Sequence, residues 1–148
     1  MELTDDQLNE NYIKFIDTIK LTCSDRSEEL LRMYSDLEYS LKYSPASSYR
    51  HLHNAFIGGY IDHVLRVLEF TFTVYNTWIT NGLDVSTFTP SELAFSALHH
   101  DLGKLGFAGD DLTRYVLNQS EWHRDKLGKE YEINEKIPFT LIQHQSLF

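Results

Sequence analysis

Two histidines, an aspartate and a lysine lie close together in the stretch HHDLGK, residues 99–104. Residues 93–98 before it, LAFSAL, are mostly apolar, which predicts that the stretch closes a buried helix. His100 and Asp101 follow Ala97 by three and four residues, so both lie over one buried line of that helix. A buried carboxylate without a partner costs several kcal/mol, so we expect Asp101 to be paired or to bind a metal.

A third candidate, His63, lies on the longest helical pattern of the chain. It falls on the apolar side of that pattern, opposite a polar stripe at steps of three and four residues (Asp62, Arg66, Glu69, Thr73, Asn76 and Thr80). Alone, such a histidine is a core residue satisfied by a hydrogen bond. Together with His100 and Asp101 it favours a metal site for Fe, Mn, Ni, Co or Zn. His99 points about 100° away from His100 and is interpreted as a supporting or structural residue.

Two glycines, Gly58 and Gly59, stand at the start of the long helical pattern. Without a Cβ they let the preceding backbone approach closely, which could bring His53 or His51 towards the metal. His53 would then support the metal or donate a hydrogen bond to a phosphate. The alternative for both histidines is a solvated position in a loop.

The chain is predicted to be all-α, a bundle of five or more helices in a single domain. Acidic helices over about residues 1–45 pack on a metal-binding core over residues 49–148. The predicted helices cover residues 4–23, 25–43 and 59–81, then Pro90 to near Gly103, with short helices in 110–117 and 120–128. The long helix is expected to be nearly surrounded by protein. Residues 129–139 are predicted to be irregular or briefly extended, and residues 140–148 to begin another helix.

The motifs His63 and His100-Asp101 resemble the HD superfamily of metal-dependent phosphohydrolases. The stretch HNAFIGGYIDH, residues 53–63, is similar to the approach to the first metal histidine in a branch with 3′–5′ exoribonucleases and relaxase-associated domains. The stretch HDLGK, residues 100–104, resembles that family's His-Asp doublet. The resemblance covers about residues 49–105 well and the remainder weakly.

This resemblance implies a helical fold and a metal held by His63, His100 and Asp101. It further implies that Lys104 lies near the metal and contacts a phosphate, although a lysine there could simply complement the helix dipole. His53 and Arg66 are the other candidates for substrate binding. A metal-activated water would attack the phosphorus of a phosphate-containing small molecule or nucleic-acid end, and Asp101 would help to orient that water.

The last metal ligand of that family is an aspartate further along the chain. The downstream aspartates here, Asp110, Asp111 and Asp125, have no buried context in the sequence. We therefore expect a fragment that lacks this ligand and that forms a dimer through an exposed apolar edge. His144 is either an accessory ligand or a helix-surface histidine.

The net charge of −9 is concentrated in the first forty residues, which hold ten acids and four bases. Such a surface does not attract nucleic acid unaided, so a phosphate substrate needs a local cation. The chain has one cysteine and no long apolar run, which predicts a cytoplasmic protein without a membrane span. Two functions remain open, namely a phosphohydrolase and a catalytically incomplete module that binds a ligand or partner.

Overall fold

The computed structural model describes residues 3–106 and 113–135, and over these ranges the chain is mostly helical. This confirms the predicted predominance of helices. The α-helices are α1 (Asp5–Thr22), α2 (Ser27–Asp36), α3 (Glu38–Tyr43), α4 (Gly59–Thr80), α5 (Pro90–His99) and α6 (Glu121–Leu127). Short 3-10 helices span Ser24–Arg26 and Leu102–Leu105, and two strands, β1 (Tyr115–Leu117) and β2 (Tyr131–Ile133), pair with each other.

The starts of α1 and α5 follow from their capping residues. At α5 the side chain of Thr89 accepts a hydrogen bond from the backbone of Glu92, and the Glu92 carboxylate accepts one from the backbone of Thr89. Thr4 and Gln7 make the same reciprocal pair at α1. These contacts satisfy backbone N–H groups that the first helical turn leaves open.

The helix predicted over residues 25–43 is divided in the structure. A 3-10 helix comes first, and α2 and α3 meet at Leu37, whose backbone N–H bonds to Tyr34 rather than continuing the helical pattern. Ser91 of α5 donates to Asp25 at 2.6 Å, which fixes the 3-10 segment to a neighbouring helix. Leu37 and Leu41, on either side of this break, are both in the core.

The core is formed by α1 to α5 around the first half of α4. Phe15 of α1 meets Tyr34 of α2 edge to face, with ring centroids 4.9 Å apart. Tyr60, Ile61 and Val64 of α4 are buried within the same cluster. Among the described residues, no helix combines the length and the apolar character needed to cross a bilayer.

The second half of α4 is exposed, so the prediction of a nearly surrounded helix is wrong there. Phe70 is 71% exposed, Trp78 45% and Ile79 48%, and Val74 lies on the same face as Phe70 and Trp78. These four residues are called the α4 apolar surface below. Within residues 3–106 and 113–135 the helices that pack on α4 do so mainly along its first half. Helical periodicity identifies the apolar face of both halves, but it does not show whether another element packs on that face.

Helix α5 ends at His99, earlier than the predicted end near Gly103. At this end the imidazoles of His99 and His100 approach the carbonyl oxygens of Phe95 and Ala97 at 2.6 and 2.7 Å. The Ala97 carbonyl is the one that the backbone N–H of Asp101 would use if the helix continued, and the His100 side chain takes that place. The chain then turns at Asp101 into the 3-10 helix.

The short helix predicted over residues 110–117 is wrong for its last residues. Tyr115–Leu117 forms β1, antiparallel to β2, with Tyr115 opposite Ile133 and Leu117 opposite Tyr131. Aromatic and β-branched residues favour a strand once a partner strand is available. The extended conformation of 131–133 agrees with the prediction, and backbone bonds from Tyr131 to Ser48 and from Arg50 to Gly128 attach this pair to the loop before α4.

Candidate metal centre

The structure brings His63, His100 and Asp101 together although they come from two separate segments. The Nε2 atoms of His63 and His100 are 3.2 Å apart. The Oδ2 atom of Asp101 lies 3.2 Å from the Nε2 of His63 and 3.4 Å from that of His100. The three potential ligand atoms therefore form a nearly equilateral triangle.

The size of this triangle fits one metal ion. Ligand atoms about 2.1 Å from a metal are about 3.4 Å apart in tetrahedral geometry and about 3.0 Å apart at right angles. All three observed separations, 3.2 to 3.4 Å, fall within that interval. Two imidazoles and a carboxylate are also the donor set that Fe, Mn, Co, Ni and Zn accept.

The orientation of His100 suits a ligand role. Its Nδ1 lies 2.7 Å from the carbonyl oxygen of Ala97. A carbonyl only accepts, so Nδ1 carries the proton and Nε2 presents its lone pair to the triangle. A hydrogen bond of this kind from the distal ring nitrogen is what holds metal-binding histidines in place.

Asp101 is negatively charged and half-enclosed. Burial alone would raise the pKa of its carboxyl group, but hydrogen bonds from His63 and Lys104 hold that pKa well below its ordinary value. Lys104 donates from Nζ to Oδ2 at 2.6 Å. The lysine therefore lies next to the triangle rather than out in solvent, with its side chain only 16% exposed.

His53 adds a further donor beside the triangle. Its ring lies 4.4 Å from that of His63, tilted by 31°. His53, His63 and Asp101 each offer a ligand atom within 4.8 Å of the other two, so this group could hold a metal ion. Burial, and then repulsion from His63 and Lys104, lowers the pKa of the His53 imidazole, which keeps it neutral and able to ligate at neutral pH.

The loop that carries His53 is tied to α4 by a network of three side chains. Asn54 donates from Nδ2 to Asp62 at 2.6 Å and to the carbonyl oxygen of Gly59 at 3.1 Å. Arg66 donates to Asn54 Oδ1 at 2.9 Å and also to Asp62. Arg66, which was predicted to bind substrate, makes its described hydrogen bonds to Asn54 and Asp62 instead. We call Asn54, Asp62 and Arg66 the Asn54 network.

The glycine pair has the mechanical role that its position indicates. Gly58 adopts a positive φ of 81°, and a Cβ at Gly59 would overlap the backbone carbonyl of Asn54. Gly59 lets the loop approach the start of α4, and Gly58 allows the left-handed backbone turn before it. This approach brings His53 to the site, whereas His51 lies against Tyr49 with ring centroids 5.4 Å apart.

The remaining candidates are elsewhere or outside the described residues. His99 stacks on Phe95 at 4.2 Å, away from the triangle, in agreement with a structural role. Asp125 and His123 are exposed on α6. His144, Asp110 and Asp111 lie outside the described residues. Asn54 was not predicted as a site residue from the sequence. Its position directly after His53 was the feature that could have indicated it.

A cavity of about 510 Å³ opens beside the cluster and runs along α4. His53 and His63 line one end, and Val67 and Phe70 line the part further along the helix. The cavity therefore reaches the His63 corner of the ligand triangle.

No protein-family model, curated protein or solved structure matches this chain. The case for function consequently depends on the geometry of the site.

Proposed function

We propose that this chain is an HD-type metal-dependent phosphohydrolase with His63, His100 and Asp101 as metal ligands. The observation that carries the proposal is the triangle of ligand atoms, whose sides of 3.2 to 3.4 Å fit one ion. The HD-like fold, the phosphohydrolase activity and the ligand roles form one proposal, supported by the motifs at residues 53–63 and 100–104.

The metal would be a divalent ion, Fe, Mn, Ni, Co or Zn. When bound, it lowers the pKa of a coordinated water and polarises a phosphoryl oxygen, which is the chemistry that phosphoester hydrolysis needs. The negative charge of Asp101 and the Nε2 atom that His100 turns towards the triangle suit this donor set to such an ion.

Lys104 supplies the cationic group that a phosphate substrate requires in an acidic protein. One N–H of its ammonium group is used on Asp101, at 2.6 Å. Within residues 3–106 and 113–135 the other two have no protein partner, so they could bind a phosphoryl oxygen and offset the negative charge that develops on it. His53, at the mouth of the cavity, could donate a hydrogen bond to the same phosphate group.

The substrate is a phosphate-containing small molecule or a nucleic-acid end. The net charge of −9 weakens long-range attraction of either, so binding must come from the metal and Lys104. A panel of chromogenic phosphomonoesters, phosphodiesters and nucleotides, assayed with each metal in turn, distinguishes these classes.

The activity test compares Asp101→Asn with Asp125→Asn. Both substitutions remove one carboxylate charge, but Asp125 lies on the exposed surface of α6. We expect Asp101→Asn to abolish metal-dependent turnover and Asp125→Asn to leave it unchanged. Equal loss in both, or turnover that persists in Asp101→Asn, contradicts the proposed function.

A second candidate, a catalytically incomplete module that binds a partner or a second copy of the chain, is favoured by the α4 apolar surface. Phe70 and Trp78 are 71% and 45% exposed, and contiguous apolar patches mark interaction sites. Sedimentation of the wild type and of Phe70→Ser/Trp78→Ser tests the homodimer. A monomeric wild type would rule it out.

A further inference from the structure

The ligand triangle leaves room for another protein ligand. Catalytic metal sites commonly hold three or four protein groups and keep at least one position for water. Within the described residues, His53 is the nearest additional donor, because its ligand atom lies within 4.8 Å of those of His63 and Asp101. Lys104 lies closer to Asp101, with Nζ 2.6 Å from Oδ2, but its ammonium group has no lone pair to offer.

The position of His53 is fixed through its backbone. Its carbonyl oxygen accepts a hydrogen bond from the hydroxyl of Ser47 at 2.8 Å. The next carbonyl, that of Asn54, accepts one from the backbone of Ala46 at 3.0 Å. Asn54 has a φ of 50°, in the left-handed region that few residues other than glycine adopt. The loop therefore has a defined, slightly strained geometry at this point.

The Asn54 network explains why that geometry persists. All the described polar atoms of the Asn54 side chain face α4, where Asp62 and Gly59 accept and Arg66 donates. Asp62 is the residue directly before His63, so the network joins the His53 loop to the same helical turn that carries a metal ligand. A shift of the loop would break three hydrogen bonds at once.

We propose that His53 is a fourth protein ligand of the metal centre, and that Asn54 is the positioning residue that holds it there through Asp62 and Arg66. This inference rests on the proposed metal site and deepens it. It would place four protein donors inside residues 53–101, of which His53, His63 and Asp101 have ligand atoms within 4.8 Å of one another. The downstream aspartate that the family resemblance calls for would then not be needed to hold the ion.

The test is titration of the metal-free protein with Co²⁺, followed by visible absorption. The titration gives the affinity of the site for Co²⁺, and the intensities of the Co²⁺ absorption bands indicate the number and type of its ligands. We expect His53→Ala to weaken binding and to change the spectrum. Asn54→Gly keeps the positive φ accessible but removes the network, and we expect about a 10- to 100-fold loss of affinity, as for other groups that orient a ligand.

Matched controls separate positioning from general damage. His51→Ala removes a histidine from the same loop, and Arg32→Met removes an exposed arginine from α2, so both should bind Co²⁺ like the wild type. Arg66→Met removes only one partner of Asn54 and should have a smaller effect than Asn54→Gly. It also serves as the second variant if Asn54→Gly does not fold, as judged by circular dichroism.

The outcomes distinguish this inference from the proposed function. Binding and spectra that do not change in His53→Ala overturn the fourth ligand while leaving the triangle intact. An effect of His53→Ala without one of Asn54→Gly and Arg66→Met overturns the positioning role. Absence of Co²⁺ binding by the wild type overturns the proposed metal site and this inference with it.

Discussion

The two halves of α4 have similar apolar patterns but opposite surroundings. In the first half Tyr60, Ile61 and Val64 are buried, and Asp62, His63 and Arg66 take part in the metal cluster or the Asn54 network. In the second half Phe70, Trp78 and Ile79 are exposed, and the threonines bond back to the carbonyls of their own helix. The difference shows that the contacts fixing α4 concentrate where the candidate site lies.

The comparison is tested most strongly by one pair of equal substitutions. Ile61 is 1% exposed and Ile79 is 48% exposed, on the same helix. Ile61→Ala should lower the free energy of unfolding by about 2–5 kcal/mol, because it leaves a cavity in the core. Ile79→Ala should change it by no more than about 0.5 kcal/mol. Urea denaturation measures both, and similar losses would mean that the second half is also covered.

Substitutions of Gly59 and Gly82, which lie at opposite ends of α4, test the same comparison. Gly59→Ala forces the new Cβ against the Asn54 carbonyl, so it should cost about 1–3 kcal/mol and also weaken metal binding by displacing the His53 loop. Gly82→Ala meets no neighbouring atom within 4 Å, but its φ of 73° is strained for alanine. It should cost about 1 kcal/mol and leave metal affinity unchanged.

Thermal melts give the stability part, and Co²⁺ titration gives the binding part. A Gly82→Ala variant with weakened metal binding would remove the distinction between the two ends of the helix.

The smallest expected effect is the pH dependence of the α5 cap. Hydrogen bonds from the backbone and then the hydroxyl of Thr89 lower the pKa of the Glu92 carboxyl group. A carboxyl group with a lowered folded-state pKa stabilises the fold above its unfolded pKa, about 4.3, and loses that contribution as the pH falls through the folded value. The stability difference between the wild type and Glu92→Gln should therefore be present near neutral pH and vanish in acid. A difference that grows in acid contradicts the assignment.

Local sequence patterns were sufficient for most helices but not for their interruptions. The Thr-Pro-Ser-Glu signal located the start of α5 because capping depends on residues within one turn. The division at Leu37 has no counterpart in the apolar spacing, and the end of α5 at His99 comes with imidazole–carbonyl contacts that periodicity does not show. The strand at 115–117 depends on a partner fourteen or more residues away. Such contacts leave no periodic signal.

The candidate site divides in the same way. Helical spacing identifies His63 on the buried side of α4. His100 and Asp101 follow the end of α5 at His99, so the His-Asp motif identifies them rather than a helix face. His53 lies in a loop, and its position depends on the Asn54 network and on Ser47, contacts that no periodicity encodes. Gly58 and Gly59 were the sequence feature that predicted the close approach of this loop to α4.

The central claim is that His63, His100 and Asp101 hold one metal ion. Its most direct test is anomalous diffraction from crystals grown with Mn²⁺, Co²⁺ or Zn²⁺, recorded at the absorption edge of the metal. The account predicts one strong peak about 2.0–2.2 Å from the Nε2 atoms of His63 and His100 and from Oδ2 of Asp101. A peak that none of these three side chains reaches, or none at saturating metal, would contradict it.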